Sequence, residues 1–180
     1  IDPLKSFSRK SSASPGSTDV GRVVEQALFL YQLRVRHDHV RVDNRCAPGQ
    51  WTAWCDANRL EQVLVNLVGN ALDAMRDADP RVLTLSAEHR EVAGVPMVAL
   101  EVRDSGKGLS ETDQQRLFEP FYTTKPSGAG LGLGLAICRD LAAEFGGDLQ
   151  AHNHADGGAC FVLTVPVGPA PDTAKDTPSR

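Results

Sequence analysis

The sequence predicts an α+β two-layer sandwich, with a mixed sheet of about five strands and three main helices on one face. Three observations carry that reading. Residues 56–76 hold an unbroken apolar stripe of helical period. Residues 81–89 and 97–104 alternate apolar and polar side chains around a short turn. Two further alternating segments, 148–154 and 159–167, close the chain after a helical stretch that ends in glycine. At 180 residues and 41% hydrophobic, the chain can bury one core.

Taken in order, residues 11–19 (SSASPGSTD) read as a linker that ends in a helix cap. VGRVVEQALFLYQLRVR, residues 20–36, follows as one helix, with Thr18 or Asp19 as its N-cap. HVRV (39–42) reads as a strand, PGQ (48–50) as a turn and WTAWC (51–55) as a second strand. The clearest helix starts at the Asp56 cap and buries Leu60, Val63, Leu64, Leu67, Val68, Ala71, Leu72 and Met75 at i, i+3, i+4, i+7 spacing, with Pro80 beyond its end. SETDQQRLF (110–118) is a short capped helix, and the helix from about Leu133 ends at Gly146.

Charge and cysteine usage exclude several function classes. The formal net charge is −4 and no Lys/Arg block occurs, so nucleic acid is not the expected partner. Cys46, Cys55, Cys138 and Cys160 form no CxxC pair or zinc spacing, and Cys138 and Cys160 fall in apolar patterns as small core residues. Unpaired cysteines without a signal peptide fit a reducing cytosol. No apolar run reaches the length of a membrane span. The chain starts at Ile1 without a Met, which reads as a piece of a longer protein.

Three stretches could carry chemistry. Asn66 and Asn70 lie one helical turn apart, off the apolar stripe. An amide oxygen is a hard neutral ligand that suits a Mg²⁺ ion sharing phosphate oxygens and water, although two solvated asparagines would give the same pattern. In VRDSGKGLS a strand ends at Asp104, where a carboxylate can accept from the amine of adenine and Gly106 and Gly108 let the base approach the backbone. An ordinary Asp-Ser-Gly turn is the plainer alternative. In PFYTTKPSGAGLGLGLAI, glycines at 128, 130, 132 and 134 precede a helix whose N-terminus suits phosphate, with Lys125 in reach. It is no P-loop and no GxGxxG. A flexible linker would not carry Phe118, Phe121 and Tyr122, rings that need something to pack on.

In this order the motifs resemble the catalytic ATP-binding domain of bacterial sensor histidine kinases, in the superfamily of gyrase, Hsp90 and MutL (the Bergerat fold). The matching boxes are EQVLVNLVGNALDAM, DSGKG, LFEPFYTTK and GAGLGLGLAI, and the wording is most similar to the nitrogen and C4-dicarboxylate sensors. The resemblance covers residues 15–168 as the ATP-binding domain. It makes residues 1–14, including LKSFSRK, the end of a dimerisation and phosphoacceptor helix plus linker, and leaves 169–180 as a disordered tail.

The resemblance implies ATP and Mg²⁺ as ligands. Asn70 and Asn66 would hold Mg²⁺ and phosphate oxygens, and Asp104 would bind the adenine amine with Gly106 and Gly108 lining the base. Gly130, Leu131, Gly132, Leu133 and Gly134 would form the lid over the triphosphate, with Lys125 as its catalytic contact, Phe118 as its packing anchor and Asp73 among the nucleotide contacts. Two departures matter. Asp73-Ala74 stands where many members have Lys-Tyr, for which Arg76 could supply the missing charge, and Leu131 replaces a hydroxyl residue. The superfamily's ATPases place a water-activating Glu where this chain has Asn66, which implies transfer to a histidine over hydrolysis.

None of the five histidines has the setting of that acceptor, which is expected on a separate helical hairpin. The implied partners are that acceptor domain, a response regulator and a second copy of the parent protein, itself expected to be an inner-membrane sensor with this domain in the cytoplasm. A nucleotide-binding docking module without activity and a gyrase- or Hsp90-like ATPase are the other readings.

Overall fold

The structure is a computed structural model that describes residues 14–125 and 130–169. The expected acceptor-helix end at 4–10, Gly128 and nearly all of the tail therefore lie outside the described residues.

The chain opens with strand β1 (Gly16–Asp19), then helices α1 (Val20–Leu30) and α2 (Gln32–His37) and strands β2 (Arg41–Asn44) and β3 (Thr52–Cys55). The long helix α3 (Ala57–Ala74) leads into the hairpin β4 (Val82–Val92) and β5 (Val95–Asp104), then the short α4 (Glu111–Arg116), α5 (Gly134–Glu144), β6 (Asp148–Asn153) and β7 (Ala159–Pro166). Five strands form one sheet in the order β2-β4-β5-β7-β6, and only β2 runs parallel to its neighbour.

The pleat divides the residues of this sheet between two faces. Leu83 and Leu85, Val98, Leu100 and Val102, and Phe161, Leu163 and Val165 point into one core with the helices. Ala99, Cys160 and Val162 make a small cluster apart from it. Every predicted stripe position of α3 is buried, which makes this helix the spine between the sheet, α1 and α5. Asp56 caps it by accepting from the amides of Asn58 and Arg59. No helix among the described residues is long and apolar enough to cross a membrane.

Three expectations need correction. The stretch read as linker contains β1, which pairs antiparallel with β3 from Gly16↔Cys55 to Asp19↔Thr52. The WTAWC strand therefore belongs to a separate two-stranded ribbon, fixed also by Thr18 Oγ1 donating to the Cys55 carbonyl at 2.8 Å. The helix expected over 20–36 breaks at Tyr31, whose hydroxyl lies against Gly69 of α3 where any side chain would overlap it. Of the two candidate caps for α1, Asp19 is the one that accepts from the Arg22 amide.

Candidate functional site

The end of β5, the C-terminal half of α3 and the start of α5 meet, and their junction is the candidate cleft. Asp104 is the last residue of β5 and is 2% exposed. The amides of Gly106 and Ala159 both donate to its Oδ1, at 2.8 and 3.3 Å. No described group donates to Oδ2, so one oxygen of a buried carboxylate is left as an acceptor. Burial raises the Asp104 carboxyl above the ordinary carboxylate range, and the two backbone donors offset only part of that.

The loop after Asp104 is pinned on two sides. Ser105 Oγ donates to the Pro80 carbonyl at 2.7 Å and accepts from Val82 N at 2.8 Å. Asn153, at the end of β6, accepts from Leu109 N at 2.7 Å and donates to Leu109 O at 2.8 Å. Gly108 has φ +74°, and a Cβ there would come within 2.8 Å of Asn153 Oδ1. These bonds hold Gly106 against the end of α3 at Ala74, and Gly108 against Asn153 at the end of β6.

On α3, Asn70 Nδ2 donates to Asn66 Oδ1 at 2.9 Å, so the two predicted amides are one bonded pair. Lys125 closes on the same turn, with Nζ 3.1 Å from Asn70 Oδ1 and 2.5 Å from Asp73 Oδ2. Asp73 Oδ1 takes Arg34 of α2 at 2.6 Å. Burial alone would raise the Asp73 carboxyl, but the hydrogen bonds and charges of Lys125 and Arg34 outweigh it and hold it below the usual range.

The glycine run meets this face. Gly134 begins α5 with no room for a side chain beside the Asn66 amide, and no side chain caps the helix there. Gly132 (φ +68°) accepts from Phe121 N at 2.9 Å, and a Cβ on it would come within 2.6 Å of the Tyr122 carbonyl. Gly130 lies beside the Lys125 stem, while Leu131 projects outward and is 79% exposed.

The aromatic rings before the run differ in fate. Phe118 packs on the core beneath the Arg139 guanidinium, and Tyr122 lies under Arg116 with its hydroxyl 2.7 Å from Asp113 Oδ1. Phe121 is 74% exposed, against the expectation that all three rings pack.

The structure thus brings together Asn66, Asn70, Asp73, Lys125 and Gly134, while Asp104 and Gly106 meet the end of the same helix at Ala74 and Gly108 lies beside Asn153. Sequence reasoning missed Arg34 and Asn153. Arg76, the expected replacement charge, is exposed and its side chain makes no ion pair or hydrogen bond among the described residues. A cluster of three His, Cys, Asp or Glu able to hold a metal does not occur among the described residues.

Comparison with known proteins decides the family. The family described as Histidine kinase-, DNA gyrase B-, and HSP90-like ATPase matches residues 55–169, well over half of the chain. This chain belongs to it. Among its relatives, the C4-dicarboxylate transport sensor protein DctB of Pseudomonas aeruginosa is 37% identical over 169 residues, covering 93% of this chain and 27% of that one. Of solved structures, the nucleotide-free catalytic domain of histidine kinase ThkA superposes with a TM-score of 0.72 at 26% identity, covering 87% of this chain and 99% of that domain. Full-length ShkA in complex with AMPPNP superposes with a TM-score of 0.68 at 30% identity, covering 87% of this chain and 32% of ShkA.

The chain is therefore a histidine kinase ATPase domain of the two-component sensor type, as the four boxes implied. It spans about a quarter of the length of the DctB relatives it matches. Within this family, the α+β sandwich read from the sequence is the shared architecture.

Proposed function

We propose that this domain binds Mg-ATP in the cleft and transfers the γ-phosphoryl group to a histidine on a separate dimerisation domain, for relay to a response regulator. The observation that carries the reading is Asp104. Its Oδ1 is committed to two backbone amides while Oδ2 of this nearly buried residue has no described donor and is not sealed from solvent, which suits the exocyclic amine of adenine. The ShkA relative, whose structure includes AMPPNP, supports a nucleotide in this fold.

The remaining groups then have defined tasks. Gly106 and Gly108 let the base lie against the backbone. Gly130, Gly132 and Gly134, with Leu131 and Leu133 between them, pass the chain over the triphosphate to the uncapped start of α5, whose amides favour negative charge. Lys125 exchanges its bonds to α3 for phosphate oxygens. Asn70 offers the amide oxygen that fits Mg²⁺, and Asn66 braces it. When bound, Mg²⁺ neutralises charge on the β and γ phosphates. Asn66 cannot accept a proton from water, and its oxygen is already taken by Asn70, so the site orients phosphate without promoting hydrolysis. The acceptor domain of the same protein, in a homodimeric sensor, and a receiver domain complete the pathway.

The test is calorimetric titration of the chain with Mg-ATP beside Asp104→Asn, followed by addition of a histidine-bearing helical hairpin domain from a DctB-type sensor and [γ-³²P]ATP. Binding that is lost in the variant, and label that appears on the added domain, are the expected results. Absence of binding by the unmodified chain would overturn the reading.

A further inference from the structure

We propose that Asp73 is a protein ligand of the divalent cation that accompanies the nucleotide, and that Lys125 occupies the cation's place on Asn70 and Asp73 until it arrives. The inference rests on the nucleotide reading above and deepens it. Asn70 Oδ1 and Asp73 Oδ2, on successive turns of α3, converge on one positive charge, at 3.1 and 2.5 Å from Lys125 Nζ. One amide oxygen and one carboxylate oxygen are the hard donors that Mg²⁺ takes when water and phosphate fill its remaining positions.

The neighbouring contacts select this pair over the two asparagines. Asn66 Oδ1 is engaged by Asn70 Nδ2 at 2.9 Å, and that bond turns Asn70 Oδ1 toward Lys125 and Asp73. Gly134 crowds the Asn66 amide from the other side. Arg34 holds Asp73 Oδ1 at 2.6 Å from α2, so the carboxylate keeps its orientation when Lys125 leaves. A carboxylate facing polyphosphate is repulsive unless a cation lies between them. Exchange of the ammonium for a dication meets that need at every stage: Lys125 moves to the phosphate as the metal takes over its two oxygens. The Asp in place of the family's Lys then becomes a gain of metal affinity in exchange for a direct phosphate contact.

Two measurements on the whole chain test this: Mn²⁺ affinity at saturating ADP, from the paramagnetic resonance signal of free Mn²⁺, and ADP affinity in EDTA by calorimetry. In Asp73→Asn, Mn²⁺ in the ternary complex should weaken about tenfold or more, while metal-free ADP binding stays equal or tightens. In Lys125→Met, which leaves α3 intact, Mn²⁺ should bind more tightly because its competitor is gone. Unchanged Mn²⁺ affinity in Asp73→Asn would overturn the proposal, as would equal losses with and without metal, which would leave Asp73 as an ion-pair partner alone. If the unmodified chain binds no ADP in either condition, the nucleotide reading itself fails and this inference with it.

Discussion

Gly106 stands against Ala74 with no room for a side chain: a Cβ would overlap the Ala74 carbonyl and come within 2.8 Å of Asp104 Oδ1. The close approach ties the loop after β5 to the end of α3, and so sets the width of the cleft. Both obstacles are constrained, one being helical backbone and the other a carboxylate fixed by two amides. Gly106→Ala should therefore cost about 1–3 kcal/mol, the usual range for overpacking, and weaken ADP binding with it. Gly168→Ala meets nothing within 4 Å and should change neither. Chemical denaturation and calorimetry on the two variants check the contrast.

Asp104 should trade stability for binding. Burial lifts its carboxyl in the folded state above the unfolded value. The folded chain thus keeps the proton to higher pH, and this group costs stability as pH rises from the ordinary carboxylate range through the folded value. Asp104→Asn removes the buried charge and keeps an acceptor for the two amides. The variant should melt above the parent at neutral pH, with the gap closing below about pH 3, where the parent carboxyl is largely protonated in both states. ADP binding should be lost in the same variant. A lower melting temperature at neutral pH would show that the charge is compensated by its backbone donors.

The four cysteines should be silent in the native chain. All are buried, Cys46 and Cys160 at 0%, Cys138 at 1% and Cys55 at 2% exposure. Burial pushes Cys46 and Cys55 up to about 11, and Cys138 and Cys160 to about 12, so almost no thiolate forms near neutrality. Reaction with Ellman's reagent at pH 8 should be slow when folded and release four equivalents in denaturant. Fast labelling of one thiol in native buffer would mean local opening around it.

Much of this was legible because local pattern and tertiary role coincide. The α3 stripe is period 3.6 and every member is core; Asp104 ends the alternation that runs from Leu100 and becomes the buried carboxylate. What was illegible depends on partners far along the chain. Nothing in Gly-Ser-Thr-Asp alternates or is apolar, and β1 exists because β3, more than thirty residues on, supplies its ladder. The break at Tyr31 has no Gly or Pro to announce it, and the seat of its hydroxyl against Gly69 of α3 is a contact no local pattern shows. Arg34 is one basic residue among several on a polar helix face until the fold carries it to Asp73. Asn153 reads as a strand residue, and its bonds to Leu109 span 44 positions.

Arg34 and Arg76 give the sharpest separation between a fold contact and a charge that is merely nearby. Both line one cavity of about 350 Å³ beside the end of α3, together with Asp38, Asp73 and Arg81. Only Arg34 reaches a carboxylate of the cleft, and it is held from behind by Asp38 at 3.3 Å. Its pair with Asp73 is partly exposed, at 33% and 26% of the side chains, so screening limits its worth to about 1 kcal/mol or less. Arg34→Ala should lower stability by that amount and weaken Mg-ADP binding several-fold, because the Asp73 carboxylate loses the bond that fixes it while Lys125 departs. Arg76→Ala should stay within about 0.5 kcal/mol of the parent and leave Mg-ADP affinity unchanged. If Arg76→Ala weakens binding as much as Arg34→Ala, the charge that Asp73 displaced from the family pattern is restored by Arg76 acting on phosphate directly, and the α2 arginine is only a brace.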